Sequence, residues 1–301
     1  MRIAHLILAH QDPIHIARLA HKLSSYSDVY IHIDVRKDIT LFVEAVGKVE
    51  NIFFLQDRLS CEWGGWNSVA AEILLLKQAI YKGSYDRFVF LQGADYPIKS
   101  GKEIRAFFEA NKDVEFIRGC CCTTSDDYYL RCRCWSIWFY NNYSHFTLLK
   151  KIWNRLTKQF KIELRNGFAY GDNLKHPVYW GSAQWAITKG LAVYFIEFFD
   201  NHPNYNKWYY NAFPADELYF TTIAFNSPFR NNTTAGGPEP EMRGLANWRN
   251  LHYFEYLPGR IKVFEESDIT LIRQLEELYI RKVTTEQSSK LLDLIDYSER
   301  E

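Results

Sequence analysis

Short apolar runs alternate with helical segments through the first third of the chain, and this alternation limits the fold more than any other feature. Residues 3–9 have the continuous apolar character of a buried strand, residues 14–23 repeat at helical period, and residues 29–34 form a second strand that ends in Asp34. A strand, a helix and a second strand in this order make a β-α-β unit, which packs helices onto a mostly parallel sheet. The sequence therefore predicts an α/β fold.

The same pattern continues toward residue 118, and a single domain is expected for the 301 residues. Asp34 ends a strand at the position where nucleotide-binding α/β folds hold a ribose, although many strands end in an acid that binds nothing. The glycine-containing loop at 63–68 does not have the spacing of the dinucleotide or P-loop motifs. Further strands are expected at 51–55, 87–91 and 115–117, and helices at 69–81, 101–111 and 268–278.

The charges of the chain balance, with 36 Lys and Arg against 36 Asp and Glu. No bulk charge therefore directs the protein to nucleic acid or to an anionic membrane. Between residues 120 and 172 basic and aromatic residues replace the regular pattern, and such a mixture can bind single-stranded nucleic acid. Because the chain lacks net positive charge and an RNA-binding motif, we instead expect an insertion that shapes a binding pocket.

Five of the six cysteines lie between Cys120 and Cys134. Adjacent cysteines pair poorly, and the apolar run at the N-terminus is too short for a signal anchor, so we expect reduced thiols in a cytosolic protein. A structural zinc site is the alternative, but the cluster lacks the usual two-residue spacer and a nearby His. No run reaches about 18 apolar residues, which leaves only peripheral contact with a membrane open.

Two acids, Asp216 and Glu217, follow Pro214 and precede an apolar run at 218–223. Proline favours the first turn of a helix, so the acids are expected at a helix start that the apolar run anchors in the core. A carboxylate held in this way at the edge of a cleft can serve as a general base in catalysis. The alternative is a carboxylate that only interacts with the helix dipole.

Five stretches together resemble the core-2 and I-branching β-1,6-N-acetylglucosaminyltransferases, with the peptide O-xylosyltransferases as relatives. They fall in the family's order within residues 3 to 283 and lie at 4–10, 30–34, 91–100, 180–185 and 214–217. The resemblance implies a glycosyltransferase A-type fold in one domain, 1–301. Residues 1–118 would be its nucleotide-binding half, 119–284 its acceptor and catalytic half, and 285–301 a tail that packs late or frays.

The resemblance also implies an inverting transfer of a sugar from a UDP-sugar, with Glu217 as the base and Asp216 as a helix cap or positioning group on the acceptor side. The Asp-x-Asp motif that holds a metal in many enzymes of this fold is not found, and the family works without a metal. We therefore expect no cofactor, with basic side chains at the diphosphate. The donor-binding candidates are Ala9, His10, Asp34, Trp63, Arg260, Lys262 and Lys282, and the acceptor-binding candidates are Arg131, Arg133, Trp185, Asp216 and Tyr256.

The chain departs from the animal enzymes in lacking a membrane anchor and their disulfide framework. It is therefore expected to be a bacterial-type, cytoplasmic relative, either free or peripheral to the inner membrane. N-acetylglucosamine is the first choice of donor sugar, and a glycan or lipid-linked saccharide is the expected acceptor. The alternatives are xylosyl transfer from UDP-xylose and a non-catalytic module that only binds a nucleotide sugar.

Overall fold

The computed structural model describes residues 1–138, 147–240 and 250–298. Residues 139–146 of the aromatic segment and the last three residues of the predicted tail lie outside the described residues. The strands are β1 (Ile3–Ala9), β2 (Asp28–Ile33), β3 (Ile52–Phe54), β4 (Arg87–Gln92), β5 (Asp95–Pro97), β6 (Gly119–Cys121), β7 (Phe168–Gly171), β8 (Leu174–Pro177), β9 (Tyr179–Gly181), β10 (Ala186–Thr188), β11 (His252–Phe254), β12 (Tyr256–Leu257), β13 (Arg260–Ile261) and β14 (Tyr279–Arg281).

The helices include a long one, α3, that packs against the central strands, and another, α9, that carries the two acids. Short 3-10 helices lie at Lys207–Asn211, Arg230–Asn232 and Glu266–Asp268. The α-helices are α1 (Pro13–Ser24), α2 (Ile39–Val46), α3 (Trp66–Lys82), α4 (Gly101–Ala110), α5 (Tyr128–Trp135), α6 (Thr147–Phe160), α7 (Lys189–Asn201), α8 (Pro203–Asn206), α9 (Ala215–Phe225), α10 (Ile269–Ile272) and α11 (Thr285–Ser298).

The central sheet has five strands in the order β10-β4-β1-β2-β3. Strands β1 to β4 are parallel, with Ile7 opposite Ile31 on one side and Leu91 on the other, while β10 runs antiparallel to β4. A second sheet, in the order β11-β14-β5, joins the C-terminal part of the chain to the segment after β4. The predicted α/β class, with a mostly parallel sheet flanked by helices, is confirmed.

Successive residues of β1 bury themselves on opposite faces of the sheet. Leu6 packs into a core with Phe90 and Trp185, and its neighbour Ile7 packs into a second core with Leu19. Because helices cover both faces, the strand is apolar at nearly every position and lacks a polar alternation. This explains why the continuous apolar runs predicted these strands correctly.

Two predicted elements were wrong in detail. Residues 115–117 form only isolated bridges, from Glu115 to Thr233 and from Phe116 to Ala186. The predicted helix at 268–278 is limited to Ile269–Ile272. Of the two alternatives left open for the tail, packing describes its described part, since Thr285–Ser298 is a helix that buries three apolar side chains, Leu291, Leu292 and Ile295. Helical period alone could not show which of these short segments had a core to pack against.

None of the helices in the described ranges is both long and apolar enough to cross a membrane.

Candidate active site

Glu217 lies in the first turn of α9, which begins at Ala215. Pro214 holds the cap position without a side-chain hydrogen bond, and the Ala215 N–H donates instead to the carbonyl oxygen of Gly64 at 2.8 Å. Asp216 is therefore not the helix cap that the sequence allowed. Its carboxylate accepts from the N–H of Glu217 at 3.0 Å, and the side chain is buried.

One oxygen of the Glu217 carboxylate is held by Trp180. The indole N–H of Trp180 donates to Oε2 at 2.5 Å, from a side chain that is itself buried on β9. Within the described ranges no hydrogen bond joins the other oxygen, Oε1, and Glu217 is partly exposed. One oxygen is thus fixed, and the second can accept a proton from a ligand.

Burial raises the pKa of Glu217, and the neighbouring Asp216 charge raises it further. The Trp180 hydrogen bond and the positive charges of Arg133 and Arg281 act in the opposite direction but do not cancel the rise. Burial also raises the pKa of Asp216. Two adjacent carboxyl groups with raised pKa values, one of them accessible, form an arrangement that suits proton transfer near neutral pH.

Arg133 lies beside this pair, and Arg131 does not. The buried Arg133 guanidinium lies 4.9 Å from the centre of the Trp180 ring and donates to the carbonyl oxygen of Phe213 at 3.2 Å. Arg131 instead forms an ion pair with Glu163 at 2.9 Å on the surface. Of the two arginines expected at the acceptor, only Arg133 contacts the residues around Glu217.

Three exposed aromatic side chains lie near Glu217. The Trp63 ring, 80% exposed, packs edge-on against Phe213 with centroids 5.0 Å apart, and the Tyr129 ring lies edge-on to Trp180 at 5.6 Å. Burial raises the pKa of Tyr256 to about 12, and the charge of Glu217 raises it as well. Tyr256, on the β12–β13 hairpin, therefore lies close enough to Glu217 to sense its charge. Exposed aromatic faces of this kind can stack on sugar rings.

Trp185 cannot stack on a sugar, so this candidate was wrong. It is 1% exposed, stacks on Phe90 in the core at 5.3 Å and donates its indole N–H to Glu72 at 3.0 Å. The apolar character that suggested a binding aromatic reflects the packing of the central sheet.

The expected uridine site lies where β1 and β2 end. The Asp34 N–H donates to the carbonyl oxygen of Ala9 at 2.9 Å, and His10 follows on the surface. The Asp34 carboxylate already accepts from the backbone and side chain of Arg36 and from the Cys61 N–H. These contacts outweigh the effect of burial and lower the pKa of Asp34, so the group is a carboxylate at neutral pH.

The basic candidates for the diphosphate differ in what they contact. Lys262 forms ion pairs with Asp268 at 2.7 Å and Glu255 at 3.5 Å, so its charge is already matched, and Arg260 lies exposed at the turn of the hairpin. Lys282 is partly buried, and the described residues give its ammonium group no ion pair. Burial lowers the pKa of Lys282, and Arg281 lowers it further.

Arg281 and Lys282 connect the two ends of the site. Arg281 acts electrostatically on Asp216, Glu217 and Tyr256, while Lys282 acts on His10 at the end of β1. The Arg281 guanidinium is fixed by an ion pair at 2.7 Å with Asp95, which is fully buried. Burial would raise the pKa of Asp95, but Arg281 and His252 outweigh it and hold the pKa at about 2.

The cysteine cluster contains thiols and no disulfide, and within the described ranges no group of three or more His, Cys, Asp or Glu could hold a metal ion. Four of its members, Cys120, Cys122, Cys132 and Cys134, are buried. Burial raises the pKa of Cys134 to about 12, so this thiol stays protonated.

Three residues of the site escaped the sequence reasoning, namely Trp180, Tyr129 and Arg281. Trp180 lies in the same six-residue stretch as Trp185. Because a loop separates β9 from β10, the alternation of side chains along one strand could not show which of the two tryptophans faces the site. Arg281 precedes the candidate Lys282 directly. Tyr129 lies in the segment predicted as an insertion.

Comparison with known proteins identifies the family of the chain. The family model for the Core-2/I-Branching enzyme matches residues 3–237. The chain is also 27% identical to xylosyltransferase 2 of Mus musculus over 124 residues, and 24% identical to xylosyltransferase 2 of Rattus norvegicus. That match covers 39% of this chain but only 14% of the mouse protein. The chain belongs to the Core-2/I-Branching enzyme family of glycosyltransferases, and its sheet and flanking helices have the A-type fold of such enzymes.

Proposed function

We propose that this protein is an inverting glycosyltransferase that moves a sugar from a UDP-sugar to a hydroxyl group of a glycan, with Glu217 as the general base. The observation that carries the proposal is the Glu217 carboxylate, which is partly exposed, has a raised pKa and is held at one oxygen by Trp180. A base of this kind needs to be ionised, oriented and accessible at one oxygen.

The reaction is a single in-line displacement. The acceptor oxygen attacks the anomeric carbon as its proton passes to Oε1 of Glu217, and the bond from the anomeric carbon to the UDP oxygen breaks on the opposite face. UDP leaves with the bonding electrons, and the anomeric configuration is inverted. Exposed Trp63, Tyr129 and Tyr256 offer aromatic surfaces on which the sugar rings can stack.

Negative charge develops on the leaving diphosphate and needs a positive partner. Lys282 is the first candidate because the described residues leave its ammonium group without an ion pair, and Arg281 beside it is already fixed by Asp95. We propose that these two cations stabilise the diphosphate without a metal. Arg260, exposed at the turn of the β12–β13 hairpin, is a third candidate.

The donor sugar is proposed to be N-acetylglucosamine, transferred with β-1,6 linkage, because the matched family is that of the branching enzymes. Xylose is the second candidate, since the curated relatives are named as xylosyltransferases. A non-catalytic module that binds a nucleotide sugar remains a different class of function, and loss of turnover in a Glu217 variant separates it from an enzyme.

Thermal unfolding with a panel of donors tests the proposed donor site. The panel holds UDP, UDP-N-acetylglucosamine, UDP-xylose, UDP-glucose and UDP-galactose, each with and without a chelator. A ligand that binds only the folded state raises its stability. UDP and one UDP-sugar should therefore each raise the melting temperature, and each shift should be the same with the chelator as without it. Absence of a shift with every uridine compound would overturn the donor site, and a shift lost on chelation would overturn metal-free binding.

A further inference from the structure

Helix α6 exposes a continuous apolar stripe to solvent. Leu148, Leu149, Ile152, Leu156 and Phe160 are all exposed, with Leu148 at 71% and Phe160 at 64%. At about 100° of rotation per residue, these five side chains fall within roughly 120° of the helix circumference. Scattered exposed leucines are ordinary on a protein surface, whereas a stripe along the whole length of one helix marks an interaction surface.

Residues outside the stripe hold α6 on the protein. The Trp153 indole N–H donates to the carbonyl oxygen of Ile137 at 2.8 Å, and the Thr157 carbonyl oxygen accepts from the Tyr128 hydroxyl at 3.2 Å. Thr157 is fully buried. The apolar stripe therefore faces away from the core, and turning it inward would break these contacts.

Positive charge borders the stripe. Lys151, Arg155 and Lys158 are exposed on one flank of α6, and the helix contains no acid. Residues 147–165 contain six basic side chains and one acid, Glu163, although the whole chain has no net charge. An apolar face with cations on its flank is the pattern of a helix that lies in the plane of a membrane surface.

We propose that α6 is a membrane-surface helix, which inserts its apolar stripe among the acyl chains of an anionic bilayer while Lys151, Arg155 and Lys158 contact the lipid phosphates. The charge of the flank favours this partner over a second copy of the chain, because two such helices in contact would bring their cations together. The helix is amphipathic and not fully apolar, so it lies on the surface and does not span the bilayer.

The proposal stands independently of the transferase chemistry, but the structure connects the two. Helix α6 packs on α5 through Tyr128, and the next turn of α5 carries Arg133, which lies over the Trp180 ring beside Glu217. A bilayer bound to α6 would therefore keep α5, and the Arg133 side chain that α5 carries, close to the same membrane. An acceptor displayed on a membrane would then be reached without leaving the surface.

Flotation with vesicles tests the proposal on the full chain. Vesicles of phosphatidylcholine mixed with phosphatidylglycerol should carry the protein upward in a density gradient, and vesicles of phosphatidylcholine alone should carry far less. The triple variant K151Q/R155Q/K158Q should lower the partition coefficient onto anionic vesicles about a hundredfold. Added salt should weaken binding of the natural chain, because the attraction to the lipid phosphates is screened.

A second variant, I152Q/L156Q/F160Q, removes most of the stripe and should also lose binding. Its matched control is L41Q/V43Q/Y297Q, which changes exposed apolar residues elsewhere and should bind as the natural chain does. Equal flotation of the natural chain and both α6 variants would overturn the proposal. Failure of the natural chain to bind anionic vesicles would also overturn it. If that chain instead sediments as a dimer that the I152Q/L156Q/F160Q variant does not form, α6 contacts a second copy.

Discussion

The Trp180 indole N–H donates to Oε2 of Glu217 at 2.5 Å, so the base of the proposed reaction is oriented by a residue from a different strand and not by its own helix. Strand β9 carries Trp180 and pairs with β6, while Glu217 lies in the first turn of α9, which packs against β9. The contact favours the charged form of the carboxylate and leaves Oε1 without a hydrogen bond among the described residues, so Oε1 can take the proton in the proposed reaction. The hydrogen bond therefore links the packing of α9 against β9 to the proposed chemistry.

Replacement of Trp180 by Phe should lower kcat about tenfold with little change in donor affinity, because a hydrogen bond to a charged group contributes about 1.5 to 3 kcal/mol. Loss of the donor also raises the pKa of Glu217 further, so the acid side of the pH profile should move to higher pH. UDP release across a pH series measures both effects. Trp185→Phe is the control, since Trp185 donates to Glu72 in the core; an equal shift of its pH profile would contradict the role of Trp180.

The pH dependence of turnover follows from the direction of the Glu217 shift. The base is active when ionised, and burial together with Asp216 raises its pKa above the usual value of about 4.3. Activity should therefore rise with pH through a window above that of an ordinary glutamate. A profile of kcat/KM that is flat on its acid side down to about pH 4 would contradict the assignment.

The free energy of unfolding should also depend on the protonation of Glu217. Because the folded-state pKa of Glu217 is raised, the stabilisation from its bound proton is present below the unfolded pKa and is lost as pH rises through the folded pKa. Glu217→Gln does not titrate, so it should gain stability relative to the natural chain as pH rises from about 4 to about 8. Urea unfolding at both pH values measures this difference, and an unchanged difference between the two chains would show that the pKa is not raised.

Lys282→Ala should weaken UDP binding about tenfold or more, because it removes a charge-assisted contact to the diphosphate. Isothermal titration with UDP measures the change without requiring a known sugar. Lys262→Ala is the matched control, since the Lys262 ammonium is already paired with Asp268 at 2.7 Å. Equal loss of affinity in both variants would show that the assignment of Lys282 to the diphosphate is wrong.

Asp95→Asn should destabilise the fold by about 3 kcal/mol, because it leaves the Arg281 guanidinium largely buried without its ionic partner. Asp200→Asn breaks a surface ion pair with Lys77 of similar length and should cost at most about 1 kcal/mol. Denaturant unfolding compares the two variants. If they lose the same stability, the Asp95 pair does not fix β14 and Arg281 as described.

The first β-α-β unit could be predicted because its strands are buried on both faces, so sequence and packing carry the same signal. Glu217 could be located because proline and two acids before an apolar run indicate a helix start. The side chains that orient Glu217 could not be chosen in this way. Trp180 and Trp185 have the same chemistry, and only the pairing of β9 and β10 with different neighbours decides which one faces the base.

The sequence also does not show which charged residues form ion pairs with each other. Lys262 and Lys282 have the same chemical character, and the structure distinguishes them by Asp268, which neutralises only the first. The helix at 147–160 is amphipathic by period, a pattern typical of a helix on a core, yet its apolar stripe faces solvent. The helical period of apolar residues in a sequence shows that a helix has an apolar face, but it does not show what covers that face.

The most direct test of Glu217 as the base compares Glu217→Gln with the natural chain in two assays, UDP release from the donor that the panel identifies and donor affinity by calorimetry. Glu163→Gln, the same change at an acid paired on the surface with Arg131, is the control. The proposed mechanism predicts that Glu217→Gln loses about a hundredfold or more in kcat, retains its donor affinity and remains folded. Unchanged turnover in a folded Glu217→Gln protein would contradict it.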